Sequence, residues 1–139
     1  MPARSRSATR TARRVSPDEI IERRKRAMAF VKLAIQANSK GVHRTLNRPP
    51  KGKGWVQCVN APAGILCRPE RVRESIEHYK TAYSIFPDIV ALYQIALAHE
   101  MLGEAREARE RSLELKSQAA REGNASYGKA ADALLARLG

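Results

Sequence analysis

Between residues 71 and 116 the apolar side chains recur at intervals that suit helices packing on one another. Val72, Ile76, Tyr79, Tyr83 and Phe86 follow at alternating steps of four and three, which places them on one helical face. Pro87-Asp88 stops that helix. Residues 89–102 are apolar nearly all round (Val90, Ala91, Leu92, Tyr93, Ile95, Ala96, Leu97, Ala98), so a second helix is expected to be covered on more than one side. Gly103 ends it. A third helix, over residues 104–122, keeps Ala105, Ala108, Ser112, Leu115 and Ala119 inward and carries charge elsewhere.

Ser75, Tyr79, Ala82 and Pro87 form a small residue, an aromatic four later, an Ala three later and a closing Pro. Leu92, Ile95, Ala96, His99, Gly103 and Ala108 run from one helix through a turn glycine to a small residue that admits the next helix closely. Together they resemble about one and a half units of the tetratricopeptide-repeat (TPR) family. The pattern departs at His99, where an aromatic is usual, at Ser112, where a bulky ring is usual, and after Lys116, where no Pro closes the unit. The resemblance implies antiparallel helical hairpins and a groove that holds an extended or helical segment of a partner protein. By analogy with exposed positions on each repeat's first helix, it implies Tyr93, Gln94, Leu97 and Glu100 as groove residues. An unrelated antiparallel bundle is the alternative.

A repeat unit cannot bury its apolar face alone. With 139 residues and one modest core, the missing surface is expected from residues 20–35, from a short last helix carrying Tyr127, Ala131, Leu134 and Leu138, or from another chain, a homo-oligomer included. No run of 18 apolar residues exists, so no transmembrane segment is expected. The expected fold is mainly α, with a small β-hairpin or irregular insert and a disordered basic N-terminal arm.

Charge divides the chain unequally. Residues 1–54 hold 15 Lys and Arg against 3 acids, which accounts for the entire net charge of +12, while residues 55–139 hold 11 of each. Residues 1–15, with Arg4, Arg6, Arg10, Arg13 and Arg14 and no acid, read as a disordered arm that cannot bury enough apolar surface to order itself. Such an arm can lie along phosphates, touch another polyanion, target an organelle, or simply solubilise. A secretory signal is not expected, because the apolar stretch 27–35 is interrupted by Lys32. Nor is a twin-arginine signal, because Arg13-Arg14 precedes Ser-Pro-Asp-Glu.

Residues 16–40 read as a basic amphipathic helix. Ser16 can cap it, Pro17 suits the first position and Glu19 can close a capping box. Ile20, Ala27, Val31 and Ala34, flanked by Met28 and Ile35, make its apolar stripe. Arg23, Arg24, Lys25 and Arg26 charge one full turn, which is expected to overhang the domain edge. A helix of this kind suits RNA, an acidic protein groove, a membrane surface, or plain packing with a solvated face.

From 41 to 69 the helical period disappears. Residues 43–54 read as a basic linker or loop, followed by two short strands, 55–59 and 65–67, around Asn60-Ala61-Pro62-Ala63-Gly64. Pairing Cys58 and Val59 with Cys67 and Leu66 leaves a turn of residues 61–64 and permits a Cys58–Cys67 disulfide. Trp55, beside Lys51 and Lys53, either stacks on a base or anchors the hairpin. Residues 70–139 are then the TPR-like helical domain.

Chemistry is sparse. Cys58 and Cys67 with His43 and His78 lack the short paired spacings of a zinc site, and no Gly-rich phosphate loop, HExxH or GxSxG occurs. No metal, cofactor or catalytic residue is expected, and His78 and His99 read as ordinary helical histidines. The leading expectation is a non-catalytic adaptor or scaffold that binds a protein partner. The alternative is an RNA- or DNA-binding protein in which residues 1–54 contact phosphate, through Arg4, Arg6, Arg10, Arg13, Arg14, Arg23, Arg24, Lys25, Arg26, Lys51 and Lys53, with Trp55 stacking. Either suits a cytoplasmic or nucleoid-associated setting, with organelle targeting by the arm as the other possibility.

Overall fold

The computed structural model describes residues 15–39, 43–44, 54–62 and 64–139. Arg4, Arg6, Arg10, Arg13, Arg14, Lys51 and Lys53, and the expected disorder of the arm, lie outside these residues. Helix α1 (Pro17–Ser39) starts where its cap signals stand: Ser16 Oγ accepts from the Glu19 amide at 3.1 Å and Pro17 occupies the first turn. Three short strands follow, β1 (His43–Arg44), β2 (Val56–Gln57) and β3 (Ile65–Cys67). The chain then continues as α2 (Pro69–Ile85), α3 (Ile89–Met101), α4 (Ala105–Glu122) and α5 (Ala125–Leu138). The architecture is therefore mainly α with a small antiparallel sheet.

Helix ends follow local chemistry. Asp88 caps α3 by accepting from the Val90 amide at 3.0 Å, and Asn124 caps α5 through the Tyr127 amide at 3.1 Å. Gly123 takes the left-handed conformation (φ 67°) that terminates α4, where a side chain would be strained.

Short connections make each of α2 to α5 antiparallel to the next, and cross-contacts show that alternate helices run parallel. Arg73 near the start of α2 bonds Glu104 at the start of α4, while Gln118 late in α4 donates to the Pro87 carbonyl beyond the end of α2 at 2.9 Å. Likewise Tyr93 meets Tyr127 and Glu100 meets Arg137, so α3 and α5 point the same way. Ser75, Ala82, Ala96 and Ala108 are all buried, as close helix approach requires. Ser75 and Ser112 avoid a desolvation penalty by donating to the carbonyls of Val72 and Ala108, both at 2.7 Å.

Two apolar clusters share α3, which is why that helix is apolar nearly all round. The first joins Ala34 of α1, Cys58 and Cys67, Val72, Ile76 and Tyr79 of α2 with Ala91, Ile95 and Ala98 of α3. In the second, Leu92, Ala96 and Leu97 meet Leu115 and Ala119 of α4 and Ala131 and Leu134 of α5. The surface that the central helices lack is thus supplied from within the chain. Helix α1 is part of the core: Ala27, Ala34 and Ala37 are buried, Phe30 sits 6.5 Å from His78, and Arg24 covers Phe86 at 5.2 Å. Its inward face is narrower than the expected stripe, because Ile20, Met28 and Ile35 are exposed.

The sheet departs from expectation twice. It has three strands in the order β1-β3-β2, because His43–Arg44, expected in a linker, pairs antiparallel with Leu66 and Ile65. Its hairpin register is also displaced by two residues: Val56 opposes Cys67 and Gln57 opposes Leu66. Gln57 explains the displacement. Its Nε2 donates to the Ala61 and Pro62 carbonyls at 3.2 and 2.8 Å, and its Oε1 accepts from the Gly64 amide at 3.2 Å, so a side chain fills the loop where a tight turn was expected. An even displacement keeps every side chain on its face. Cys58 and Cys67 therefore still reach one another and form a disulfide, with Cα atoms 5.2 Å apart.

Candidate functional site

The four positions that the resemblance implied for a groove lie on α3, and each has a neighbour from another part of the chain. Tyr93 makes an edge contact with Tyr127, ring centroids 5.4 Å apart. Leu97 is only 8% exposed and packs in the cluster with α4 and α5. Glu100 receives two bonds from the Arg137 guanidinium, at 2.7 and 2.8 Å, and Gln94 Oε1 accepts from Asn60 Nδ2 at 2.6 Å. Helix α5 closes one side of α3 and the hairpin loop reaches over another. Tyr93, Gln94 and Glu100 remain half-buried, and Leu97 is buried.

The open apolar surface lies instead on α1. Ile21, Met28 and Ile35 are 51, 49 and 55% exposed, and their seven-residue spacing stacks them in a row along one flank of the helix. Lys25 and Lys32, each four residues beyond a member of that row, are exposed beside it. The inward side of the same helix is filled by Ala27 and Ala34. The flank therefore combines an apolar row with a cationic border.

Two recesses adjoin this flank, one at its Ile35 end and one beside its middle. Beside Ile35 is a cleft of about 280 Å³ lined by Asn38, Cys58, Val59, Asn60, Ala61, Ile65 and Tyr79, with the disulfide in its wall. Burial pushes the Tyr79 phenol up, so it stays neutral there. Asn38 Oδ1 is buried and has no hydrogen-bond partner among the described residues. The Cys67 sulfur lies 3.1 Å from the Asn38 carbonyl oxygen. A disulfide sulfur carries no proton, so this is a close contact and not a hydrogen bond. Near Met28 a smaller recess of about 50 Å³ lies between Arg24, Ala27, Val31, Phe86, Asp88 and Ala91.

The cationic turn is only partly available. Arg23 pairs with Glu19 at 3.0 Å; Arg24 is exposed but lies on Phe86, and Lys25 and Arg26 are exposed. Trp55, read as either stacking on a base or anchoring the hairpin, has the Arg68 guanidinium 4.5 Å from its ring centroid.

One polar constellation was not foreseen. His99 Nδ1 donates to Glu104 Oε1 at 2.8 Å, and Arg73 bonds the other carboxylate oxygen. Burial raises the Glu104 carboxyl, but the bonds from His99 and Arg73 and the Arg73 charge outweigh it and hold the carboxyl below its ordinary value. Gly103 lets the chain turn back so that the Glu104 amide reaches the His99 carbonyl at 2.9 Å. The cluster clamps the α3–α4 turn to α2. Among the described residues no group of three or more His, Cys, Asp or Glu is placed to hold a metal ion.

Compared with protein families, with characterised proteins and with solved structures, the chain matches none.

Proposed function

We propose that this chain is a non-catalytic helical module that binds a partner protein along the outer flank of α1. The observation that carries this reading is the exposed row Ile21, Met28 and Ile35, bordered by Lys25 and Lys32 and ending in a recess at the hairpin. Exposed apolar area costs solubility, and aligned apolar side chains with polar neighbours are common in interfaces. The TPR resemblance supports the same function class, with the binding surface moved from α3 to α1. The Cys58–Cys67 bond favours an oxidising compartment over a cytoplasmic or nucleoid-associated one. No helix among the described residues is long and apolar enough to cross a membrane.

Site-specific photo-crosslinking in the native cell tests this reading. A crosslinker at position 28 is expected to trap discrete proteins that a crosslinker at position 113, an exposed apolar site on α4, does not trap. Equal patterns from both positions contradict it.

A second reading, RNA or DNA binding by residues 1–54, has the charge asymmetry in its favour. It predicts nucleic-acid carry-over on purification and steep loss of heparin affinity with salt. Because α1 belongs to the core, the informative deletion is of residues 1–14, which leaves the helix intact.

A further inference from the structure

The α1 flank has a definite length, charge and depth, and these select among occupants. This inference rests on the protein-binding reading above and names the partner. We propose that an acidic amphipathic helix docks along Ile21, Met28 and Ile35 and inserts a bulky apolar side chain into the cleft beside the disulfide.

The length of the row fits. From Ile21 to Ile35 the row spans about 21 Å at the rise of an α-helix, some four turns of a partner helix. A partner helix with apolar residues at three- and four-residue spacing sets every second one against a member of the row and the others against the stems of Lys25 and Lys32.

The charge selects the sign of the partner. Lys25 and Lys32 flank the row, while the smaller recess is lined by both Arg24 and Asp88 and adds no net sign. A partner with Asp or Glu beside its apolar face meets a complementary border, which gives orientation and faster association. A second copy of this chain would bring the same lysines against themselves, and like charges across an interface are unfavourable.

The depth selects a helix over a lipid surface. The row is one residue wide, with buried alanines directly on its inward side, and it ends in a cleft of about 280 Å³ walled by α1, α2 and the hairpin. A flat bilayer leaves that cleft unfilled, whereas one large side chain of a docked helix occupies it. Anchors of this kind carry most of the energy of such interfaces. Rotation of the Asn38 amide would turn its unpartnered oxygen toward an entering indole N–H, so Trp is the best-suited anchor.

The test is fluorescence anisotropy with a labelled helical peptide of about 15 residues, built from Glu, Leu and Ala around one Trp, against the full chain. Counterparts carry Gln or Lys in place of every Glu. The acidic peptide is expected to bind, and the lysine peptide is not. Lys25→Glu with Lys32→Glu is expected to weaken binding about tenfold. Ala61→Phe, which fills the cleft without changing charge, is expected to weaken it by about as much, and Met28→Asp by more. Circular dichroism melts confirm that each variant is folded, and Val59→Phe replaces Ala61→Phe should the latter not fold.

Equal binding of acidic and lysine peptides overturns the proposal. So does an affinity indifferent to charge reversal or to cleft filling, or Met28-dependent binding to phosphatidylcholine–phosphatidylglycerol vesicles without peptide binding. A Gln peptide that binds as tightly as the acidic one and still depends on Met28 removes the acidic partner but leaves the protein-binding reading intact. That reading falls separately, if position 28 crosslinks to nothing that position 113 does not.

Discussion

The side chain of Asn60 crosses from the hairpin loop to α3, where its Nδ2 donates to Gln94 Oε1 at 2.6 Å. This bond, the Gln57 amide inside the loop and the Cys58–Cys67 disulfide hold the hairpin against the helices. A sheet of such short strands is marginal by itself, so its position depends on these attachments.

Reducing the disulfide, or replacing both cysteines by serine, is expected to lower stability by about 2–3 kcal/mol, the chain-entropy value for a loop this short. Urea unfolding with and without reductant measures it. The serine variant should show no further change on adding reductant.

Acid should weaken the clamp between α2 and the α3–α4 turn. The Glu104 carboxyl titrates lower in the folded chain than in the unfolded one, so its contribution is present above the ordinary carboxylate value and is lost as pH falls through the folded one. Melting temperatures of the wild type and Glu104→Gln, measured from neutral to acid pH, are expected to converge as the pH drops. A constant difference would show that Glu104 does not titrate with folding.

Helix α1 is expected to be indispensable to the fold. Ala34 has no exposed surface and touches the cluster shared with α2 and α3, so Ala34→Leu should cost about 1–3 kcal/mol by overpacking. Residues 55–139 alone would uncover Val72, Ile76 and Tyr79, and should lose cooperative thermal unfolding.

The outer flank should behave in the opposite way. Ile21→Asp, Met28→Asp and Ile35→Asp are each expected to change stability by no more than about 0.5 kcal/mol, because the side chains they replace are about half exposed. Denaturant titration of the three variants checks this, and a large loss would mean that the row is structural.

What could be read in advance was local. Ser16, Pro17, Gly103, Gly123 and Asn124 mark helix ends through their own backbone chemistry, and the spacing from Val72 to Phe86 needs no knowledge of neighbours. The rest depended on partners distant in the chain. Periodicity puts Tyr93, Leu97 and Glu100 on faces of α3, but only the arrival of Tyr127 and Arg137 decides that those faces are covered. Met28 and Ile35 look like core residues by composition, yet the face of α1 turned to α2 is made by Ala27, Phe30, Val31 and Ala34, and Met28 and Ile35 are left outside. The hairpin register turned on hydrogen bonds from one glutamine side chain, which no strand pattern encodes. The pairing of His99 with Glu104 follows from the turn at Gly103, and a histidine five residues before an acid across such a glycine was its only signal.

Amide chemical shifts of the isotope-labelled chain, followed while the acidic helical peptide is added, test the central claim most directly. Shifts are expected to concentrate in residues 20–36 and 58–61 and to leave the outer face of α4 around Leu113 unmoved. Shifts centred on α4 or α5, with residues 20–36 unmoved, would contradict it.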